Sequence, residues 1–276
     1  MQEEHKNLPD WINFLSHADI PVLRQTARNL AILQADKKNL SARAISKIIA
    51  ADPLMTLKLL RYLQQNKHKS QLFEVVEIEQ VLLMIGVEHF LQHVPAQPLV
   101  EEILQHNIGA LTSLLRVVHR SHRASAYAKE WAALLHDLHY EEVRIAALLH
   151  EVAEILLWCF SPTKMLQILS MLQHEQALRS RAAQETVLGF NLADLQKALA
   201  QKCGLPKLLL TLMDEDFSNQ QRVRNVIIAA NLARHSANGW DNAALPDDYK
   251  DAAKLLRLSP ELVMAMVGAE TVPTAK

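Results

Sequence analysis

The sequence predicts an all-α protein, and three observations support this fold class. Glycine, which turns and loops favour, occurs six times among 276 residues. Leu, Ala and Gln are abundant, whereas runs of β-branched residues are few, and this balance favours helices over strands. Residues 143–158 contain no Gly or Pro and space their apolar side chains as a buried helix does. We therefore expect helices along the whole chain.

In the first quarter of the chain, capping residues indicate where helices begin. Residues 1–10 are expected to form a loose leader, and helices are predicted over about residues 11–16 and over residues 22–33. Ser41 is a good N-cap for a helix through residue 51, because its hydroxyl accepts a hydrogen bond from a free backbone amide. Asp52 caps the next helix and Pro53 suits its first turn. That helix is expected to end in the polar stretch 64–70.

The remaining helices follow from apolar periodicity and from residues that stop helices. They are predicted over residues 77–85, 87–93, 99–135, 143–158, 162–180, 191–202, 222–235 and 260–267. Gly86 and Gly204 are expected to end helices, and Ser259 to cap the last one. Residues 236–246 are predicted as the longest loop, and the tail after residue 267 is expected to fray.

Two prolines indicate a division of the chain into two packed lobes. Pro95 and Pro98 interrupt the helical pattern, although the composition does not change across them. We therefore predict an N-terminal helical lobe over about residues 8–98 and a second lobe over about 99–258, without a flexible linker. Residues 259–276 would add a C-terminal helix and tail.

Charge, hydropathy and cysteine content exclude several classes of protein. The net charge is −1, so no overall field attracts nucleic acid or an anionic membrane. The chain has no run of about 18 uncharged apolar residues, and its charged first residues lack the apolar core of a signal peptide. Cys159 and Cys203 form neither a close metal pair nor a disulfide framework. We expect a cytoplasmic protein that binds neither nucleic acid nor membrane.

The central stretch places His150, Glu151 and Glu154 among apolar residues. Burying a carboxylate without a partner is costly, so either the Glu side chains face solvent or this helix forms the wall of a site. His122 lies on the preceding long helix, and an antiparallel helix pair would bring it close to His150. Two imidazoles with an adjacent carboxylate can bind a divalent metal ion.

A second His-Asp pair, His136-Asp137, precedes the central stretch together with His139. The residues that follow it are polar, which indicates a helix end and a loop. A histidine near the C-terminus of a helix also has a structural explanation, because it interacts favourably with the helix dipole. We therefore interpret these three residues as structural, with adventitious zinc binding as the alternative.

Five segments resemble a known family. The chain is similar over roughly residues 8–258 to the HDOD branch of the HD superfamily of phosphohydrolases, a branch with an N-terminal helical lobe and a regulatory role. The segments that carry this resemblance, in order, are IPVL (20–23), IIAADPLMTLKLLR (48–61), VEIEQVLLMIGV (76–87), AALLHEVAEILL (146–157) and GLP (204–206).

The resemblance implies a degenerate metal site in the second, HD-like lobe. Members of the superfamily bind metal with a His on one helix, a His-Asp pair on the next and an Asp on a later helix. The corresponding residues here are His122, His150, Glu151 and Asn231. Glu151 and Asn231 both replace an Asp, so one anion stands where two are expected. Glu154 stands where active enzymes usually have a Lys, which disfavours an anionic substrate.

These departures favour a non-catalytic bacterial signal-transduction module that binds a signalling protein or a small ligand. In this interpretation no residue is catalytic, no cofactor is required, and His122 and His150 are hydrogen-bonded into the core. Two alternatives stay open. One is a metal-dependent phosphohydrolase that acts on a nucleotide or cyclic dinucleotide. The other is binding of a nucleotide without hydrolysis.

Overall fold

A computed structural model describes residues 7–66, 74–175 and 177–269, and this part of the chain is helical without β-strands. The predicted all-α fold is therefore confirmed. A single isolated parallel β-bridge within it pairs Val22 with Leu99. The helices, in chain order, are α1 (Leu8–His17), α2 (Arg24–Ala35), α3 (Ala42–Ile49), α4 (Pro53–Gln65), α5 (Ile78–Ile85), α6 (Val87–His93), α7 (Val100–Ile103), α8 (Ile108–Leu134), α9 (Tyr140–Leu149), α10 (Val152–Phe160), α11 (Pro162–His174), α12 (Ser180–Leu188), α13 (Leu192–Lys202), α14 (Lys207–Leu212), α15 (Gln221–His235), α16 (Leu245–Leu256) and α17 (Pro260–Met266).

The predicted caps are confirmed. The Ser41 side chain accepts a hydrogen bond from Ala44 N at the start of α3, and the Ser259 side chain accepts from Leu262 N at the start of α17. Gly86 ends α5 with a φ of 86°, a conformation that a residue with a side chain rarely adopts. These ends are well predicted because each one depends on residues within a single helical turn.

Several other boundaries differ from the prediction. The expected helix over residues 99–135 is interrupted, because Asn107 Oδ1 accepts from Ala110 N and caps α8 as a new helix after α7. The helix expected over residues 162–180 ends earlier, at His174, and α12 and α14 were not predicted. Helix α16 was also not predicted. It begins at Leu245, inside the predicted loop over residues 236–246, and Pro246 lies in its first turn, where a proline is well tolerated.

Three of the predicted features lie wholly or partly outside the described residues. They are the leader, of which residues 1–6 are not described, the polar stretch 64–70 beyond residue 66, and the tail after residue 269. For residues 8–10 the prediction of a loose leader is wrong, because they form the first turn of α1, where the side chain of Asn7 accepts a hydrogen bond from Asp10 N. Among the described helices, none is both long enough and apolar enough to cross a membrane.

The chain folds into two compact units. The first contains the described residues up to Val118 together with Glu151–Leu210, and the second contains His119–His150 and the described residues from Thr211 onward. The boundaries between them fall inside α8, between α9 and α10, and inside α14. The lobe boundary near Pro98 stays a prediction.

In the first unit, α4 and α10 form the centre of the apolar core and pack against each other. Leu54, Leu57 and Leu60 of α4 are buried, as are Ile155 and Leu156 of α10. Burying a side chain of this size contributes about 1.5–3 kcal/mol, so these two helices supply much of the unit's stabilisation.

In the second unit, α15 packs against α9 and α16, while α17 packs on α16. Trp131 of α8 is fully buried and stacks on Tyr127 with the ring centroids 5.8 Å apart. Asn225 of α15 donates from its side chain to Ala128 O at 2.9 Å, which links α15 to α8. Helices α8, α9 and α15 therefore surround one core, and His122, His150 and Asn231 lie on them or directly at their ends.

Candidate functional site

The His-Glu pair lies in a break between two helices. Helix α9 ends at Leu149 and α10 begins at Val152, so the predicted single helix over residues 143–158 is wrong. Glu151 has φ −115° and ψ 21°, outside the helical region, and its carbonyl accepts from Glu154 N and Ile155 N. His150 therefore ends one helix, and the backbone of Glu151 starts the next.

The imidazole of His150 is buried at one nitrogen and surrounded by more positive than negative charge. Although the residue keeps some exposed surface, its Nδ1 is buried and has no hydrogen-bond partner among the described residues. The pKa of His150 is lowered to about 4, first by burial and then by the positive charges of Arg234 and Arg120, while Glu215 opposes the shift. The ring is therefore neutral at pH 7. The expectation that His150 is hydrogen-bonded into the core is wrong for Nδ1.

Asn231, which the resemblance assigns to the position of the superfamily's last Asp, accepts a hydrogen bond from a cation. It lies half-buried on α15, and its Oδ1 accepts a hydrogen bond from Arg234 Nη2 at 2.6 Å. The amide carries no charge, and the oxygen that would face a metal is already held by a guanidinium. A divalent ion at Asn231 would have to displace Arg234 and remain close to its positive charge.

The predicted set is only partly brought together. Electrostatic interactions of His150 with Arg120 of α8 and Arg234 of α15 place its imidazole near both helices, and α9 packs against α15. His122 lies half-buried on α8, whereas Glu151 belongs to the other compact unit. Within the described ranges, no group of three or more His, Cys, Asp or Glu side chains is arranged to hold a metal ion. The donors present do not fit a divalent cation.

Sequence reasoning missed the arginines. Arg234 follows Asn231 by three residues on one helix, and side chains at that spacing are neighbours, so this contact had a local signal. Arg120 has no such signal, because its effect on His150 depends on how α8 and α9 are arranged in the folded chain.

The residues of the second His-Asp pair form a turn, as predicted. Helix α8 ends at Leu134, and His136 adopts a left-handed φ of 56°. Asp137 accepts from His139 N at 2.9 Å and, through its other oxygen, from Arg222 Nε at 2.8 Å. The carboxylate of Asp137 thus holds the loop to the start of α15.

Two buried charged residues hold together, in the folded chain, the first two segments that carry the resemblance. The first of them, Asp52, accepts three backbone hydrogen bonds, from Leu23 N at 2.9 Å, Leu54 N at 2.9 Å and Met55 N at 3.1 Å. Burial raises the pKa of Asp52, and these backbone hydrogen bonds oppose the rise. Asp52 thus caps α4 and at the same time fixes the start of α2.

Lys58 is the second buried charged residue, and it donates hydrogen bonds to one carboxylate oxygen and two main-chain oxygens. Its Nζ donates to Asp19 Oδ1 at 2.9 Å, to Ile20 O at 3.1 Å and to Gln97 O. The residue is 7% exposed, so these oxygens replace most of the water around the ammonium group. Lys58 therefore links α4 to two separate loops, and its role is structural.

Cys159 and Cys203 are both buried free thiols. Burial raises the pKa of Cys203 to about 11 and raises that of Cys159 as well. Neither thiol is therefore ionised near pH 7, and neither is an activated nucleophile.

A family model for the HDOD domain matches residues 20–216, which is more than half of the chain. The chain belongs to the HDOD family. The match includes the two segments organised by Asp52 and Lys58 and the break at His150, but it ends before α15. The domain limits of residues 8–258 and the assignment of Asn231 to the last Asp position therefore stay predictions.

Several solved structures are similar in fold to this chain. The response regulator MmoQ from Methylococcus capsulatus is 17% identical, with a TM-score of 0.65 over 92% of this chain and 100% of that one. A virulence factor from Campylobacter jejuni is 17% identical, with a TM-score of 0.66 over 95% and 93%. An HDOD domain protein from Geobacter sulfurreducens is 15% identical, with a TM-score of 0.50 over 97% and 95%. At these identities the likeness shows the fold alone. Among curated proteins, none matches this chain.

Proposed function

We propose that this HDOD protein is a non-catalytic signal-transduction module of a bacterium, and that it acts by binding a signalling protein or a small ligand. The observation that carries the proposal is the hydrogen bond from Arg234 to Asn231 Oδ1 at 2.6 Å, beside a neutral His150. A guanidinium therefore binds the side-chain oxygen at the position that the resemblance assigns to a metal-binding carboxylate.

The chemistry of phosphate ester hydrolysis explains why this replacement matters. A bound metal ion polarises a phosphoryl oxygen and generates hydroxide from water near neutral pH. Anionic ligands hold that ion, and here Asn231 supplies none. Arg234 and Arg120 add positive charge near His150, which repels a divalent cation. The neutral imidazole alone is a single ligand, and one ligand does not hold an ion tightly.

The regulatory part of the proposal rests on analogy and on this altered chemistry. MmoQ, which shares the fold, is named a response regulator. A fold does not fix a function, so the analogy supplies a hypothesis about this chain and its cytoplasmic role. A protein that keeps the HDOD fold while its metal ligands are replaced retains surfaces for binding and loses the means of hydrolysis.

Elemental analysis of protein purified without chelator tests the proposal. We expect less than about 0.1 equivalent of Fe, Mn or Zn per chain, because the site lacks its anionic ligands. We also expect no phosphate release from nucleotides or cyclic dinucleotides when these metals are added. About one equivalent of metal that is lost in His150→Ala but retained in His119→Ala, together with phosphate release, would contradict the proposal. His119 is the matched control because it is exposed on α8.

A further inference from the structure

Four large apolar side chains are exposed on two segments of the second unit: one segment is bonded to Arg222 at the start of α15, and the other precedes that helix in the chain. They belong to the end of α8, the following loop, the start of α9 and the short 3-10 turn Glu215–Phe217. We call them the Leu138 surface: Leu134, Leu138, Tyr140 and Phe217. Leu138 is 90% exposed. In the isolated chain its side chain therefore contributes almost no stabilisation through burial of apolar surface. Neighbouring exposed apolar residues of this kind mark interaction sites.

The loop that presents Leu138 is held in place by one arginine. Arg222 donates to Asp137 Oδ2 at 2.8 Å, to His139 O at 3.0 Å and to Glu142 Oε2 at 2.7 Å. The hydrogen bond from His139 N to Asp137 Oδ1 closes the turn around Leu138. A loop fixed from both sides of Leu138 loses little conformational entropy when a partner binds it.

Phe217 lies on the segment that precedes α15. Its carbonyl accepts from Gln220 N at 2.9 Å, directly before α15 begins, and Arg222 lies in the first turn of that helix. The 3-10 turn is capped by Asp214, whose side chain accepts from Asp216 N. The apolar residues of the Leu138 surface therefore stand on connected, ordered backbone.

The two segments that carry these apolar residues have an excess of acidic side chains. Residues 129–144 and 211–222 contain seven acidic and three basic side chains, a net charge of −4, whereas the whole chain carries −1. The basic residues are engaged within these segments, since Arg144 and Lys129 both bind Glu141, at 2.6 and 3.0 Å. An acidic rim around exposed Leu and aromatic residues is complementary to a partner that is apolar on one face and cationic beside it.

We propose that the Leu138 surface docks a cationic amphipathic segment of a signalling partner. The proposal rests on the function proposed above, namely that the protein acts by binding. Leu138 inserts between the apolar side chains of the segment, and the acidic rim interacts with Lys or Arg side chains on its flanks. An anionic lipid surface is disfavoured, because the rim would repel it.

A pair of model peptides tests both parts of the recognition. The first is a labelled helical peptide of about 18 residues with Leu at i, i+3, i+4 and i+7 spacing and Lys elsewhere, and the second has Glu in place of every Lys. Binding is followed by fluorescence anisotropy at increasing salt. We expect the Lys peptide to bind more weakly as the salt concentration rises, and the Glu peptide not to bind.

Two variants separate Leu138 from general surface hydrophobicity. Leu138→Ser should weaken binding of the Lys peptide at least about tenfold, as expected for a central apolar contact. Leu83→Ser, at a position 69% exposed on α5 in the first unit, should bind like the wild type. Leu138 is so exposed that its replacement should leave the circular dichroism spectrum and the melting temperature unchanged.

Any of three results would overturn the proposal. The first is that the Lys peptide does not bind, or that both peptides bind equally. The second is that Leu138→Ser binds like the wild type. The third is sedimentation of the wild type as a dimer and of Leu138→Ser as a monomer, which would identify a second copy of the chain as the occupant. None of these results changes the metal content or phosphate release, so failure here is distinguishable from failure of the proposed function.

Discussion

Acidification should destabilise the protein through His150, whose pKa of about 4 lies well below the usual value of 6.5. The folded-state pKa lies below the unfolded one, so protonation favours the unfolded chain. The stability that comes from keeping His150 neutral is fully present above pH 6.5 and is lost as the pH falls towards 4.

The size of the effect follows from the two pKa values. Linkage gives a loss in the free energy of unfolding of about 2 kcal/mol between about pH 7.5 and about pH 5, rising to about 3.4 kcal/mol well below pH 4. The positive charges of Arg234 and Arg120 act in the same direction as burial, whereas Glu215 reduces the effect. Because His150 keeps some exposed surface, these values are upper estimates.

Urea unfolding at the two pH values, on protein treated with chelator, measures this loss. Other groups also titrate in this range, so the contribution of His150 is the difference between the wild type and His150→Gln, whose side chain is neutral at both pH values. We expect His150→Gln to lose about 2 kcal/mol less stability than the wild type on acidification. His119→Gln, which replaces an exposed imidazole of α8, should lose as much as the wild type.

Equal pH dependence in the wild type and His150→Gln would refute this reasoning. It would mean that solvent reaches the ring in the folded chain, or that the surrounding charges are balanced. If His119→Gln removes the pH dependence and His150→Gln does not, the effect belongs to His119 of α8 and the reasoning about His150 is wrong.

Two further predictions concern residues whose roles the structure identifies. Lys58→Met should lower the free energy of unfolding by about 2–3 kcal/mol in urea titrations, since it leaves the carbonyls of Ile20 and Gln97 without their buried donor. Lys47→Met, on the exposed side of α3, should change it by less than about 0.5 kcal/mol. Arg222→Ala should increase amide hydrogen exchange over residues 135–142, which it holds, without increasing exchange in α4; unchanged protection there would contradict its role as the tether of the loop.

The sequence predicts best those parts of the fold that depend on short-range chemistry. Ser41, Asp52 and Ser259 each bond to an amide two or three residues away, so the residue type and its position are sufficient to place the start of a helix. The all-α class was predictable for a related reason, because helix propensity is summed over many residues and individual errors cancel.

The break at His150 and Glu151 was not predictable from periodicity. Both α9 and α10 are buried on nearly every side, including residues 145–149 and 155–159. A helix that is apolar all round has no polar stripe, and without a stripe the phase of the helix cannot be followed through a break. No Gly or Pro marks the position either. The apolar sequence pattern of α9 and α10 therefore could not be distinguished from that of a single continuous helix.

The candidate site was predictable in its residues but only partly in its chemistry. His150 and Asn231 were identified from the resemblance, and the helices α9 and α15 that carry them pack together. Their electrostatic surroundings depend on Arg120 and Arg234, and the first of these comes from a helix whose arrangement in space no local pattern encodes. The positive surroundings of His150 were therefore not visible in the sequence, which showed only an amide at Asn231 where the resemblance implies a carboxylate.

The residues of the HDOD resemblance fall into two physical classes, and this division supports a binding function. Asp52 and Lys58 match the family and are buried among hydrogen bonds, so replacing either would leave main-chain groups unsatisfied and cost folding stability. Asn231 and Glu154 depart from the pattern of active enzymes at positions that are half-buried, where an amide or a different charge does little to the fold. The proposed binding function requires the scaffold that Asp52 and Lys58 stabilise, and it does not depend on the side chains of Asn231 and Glu154.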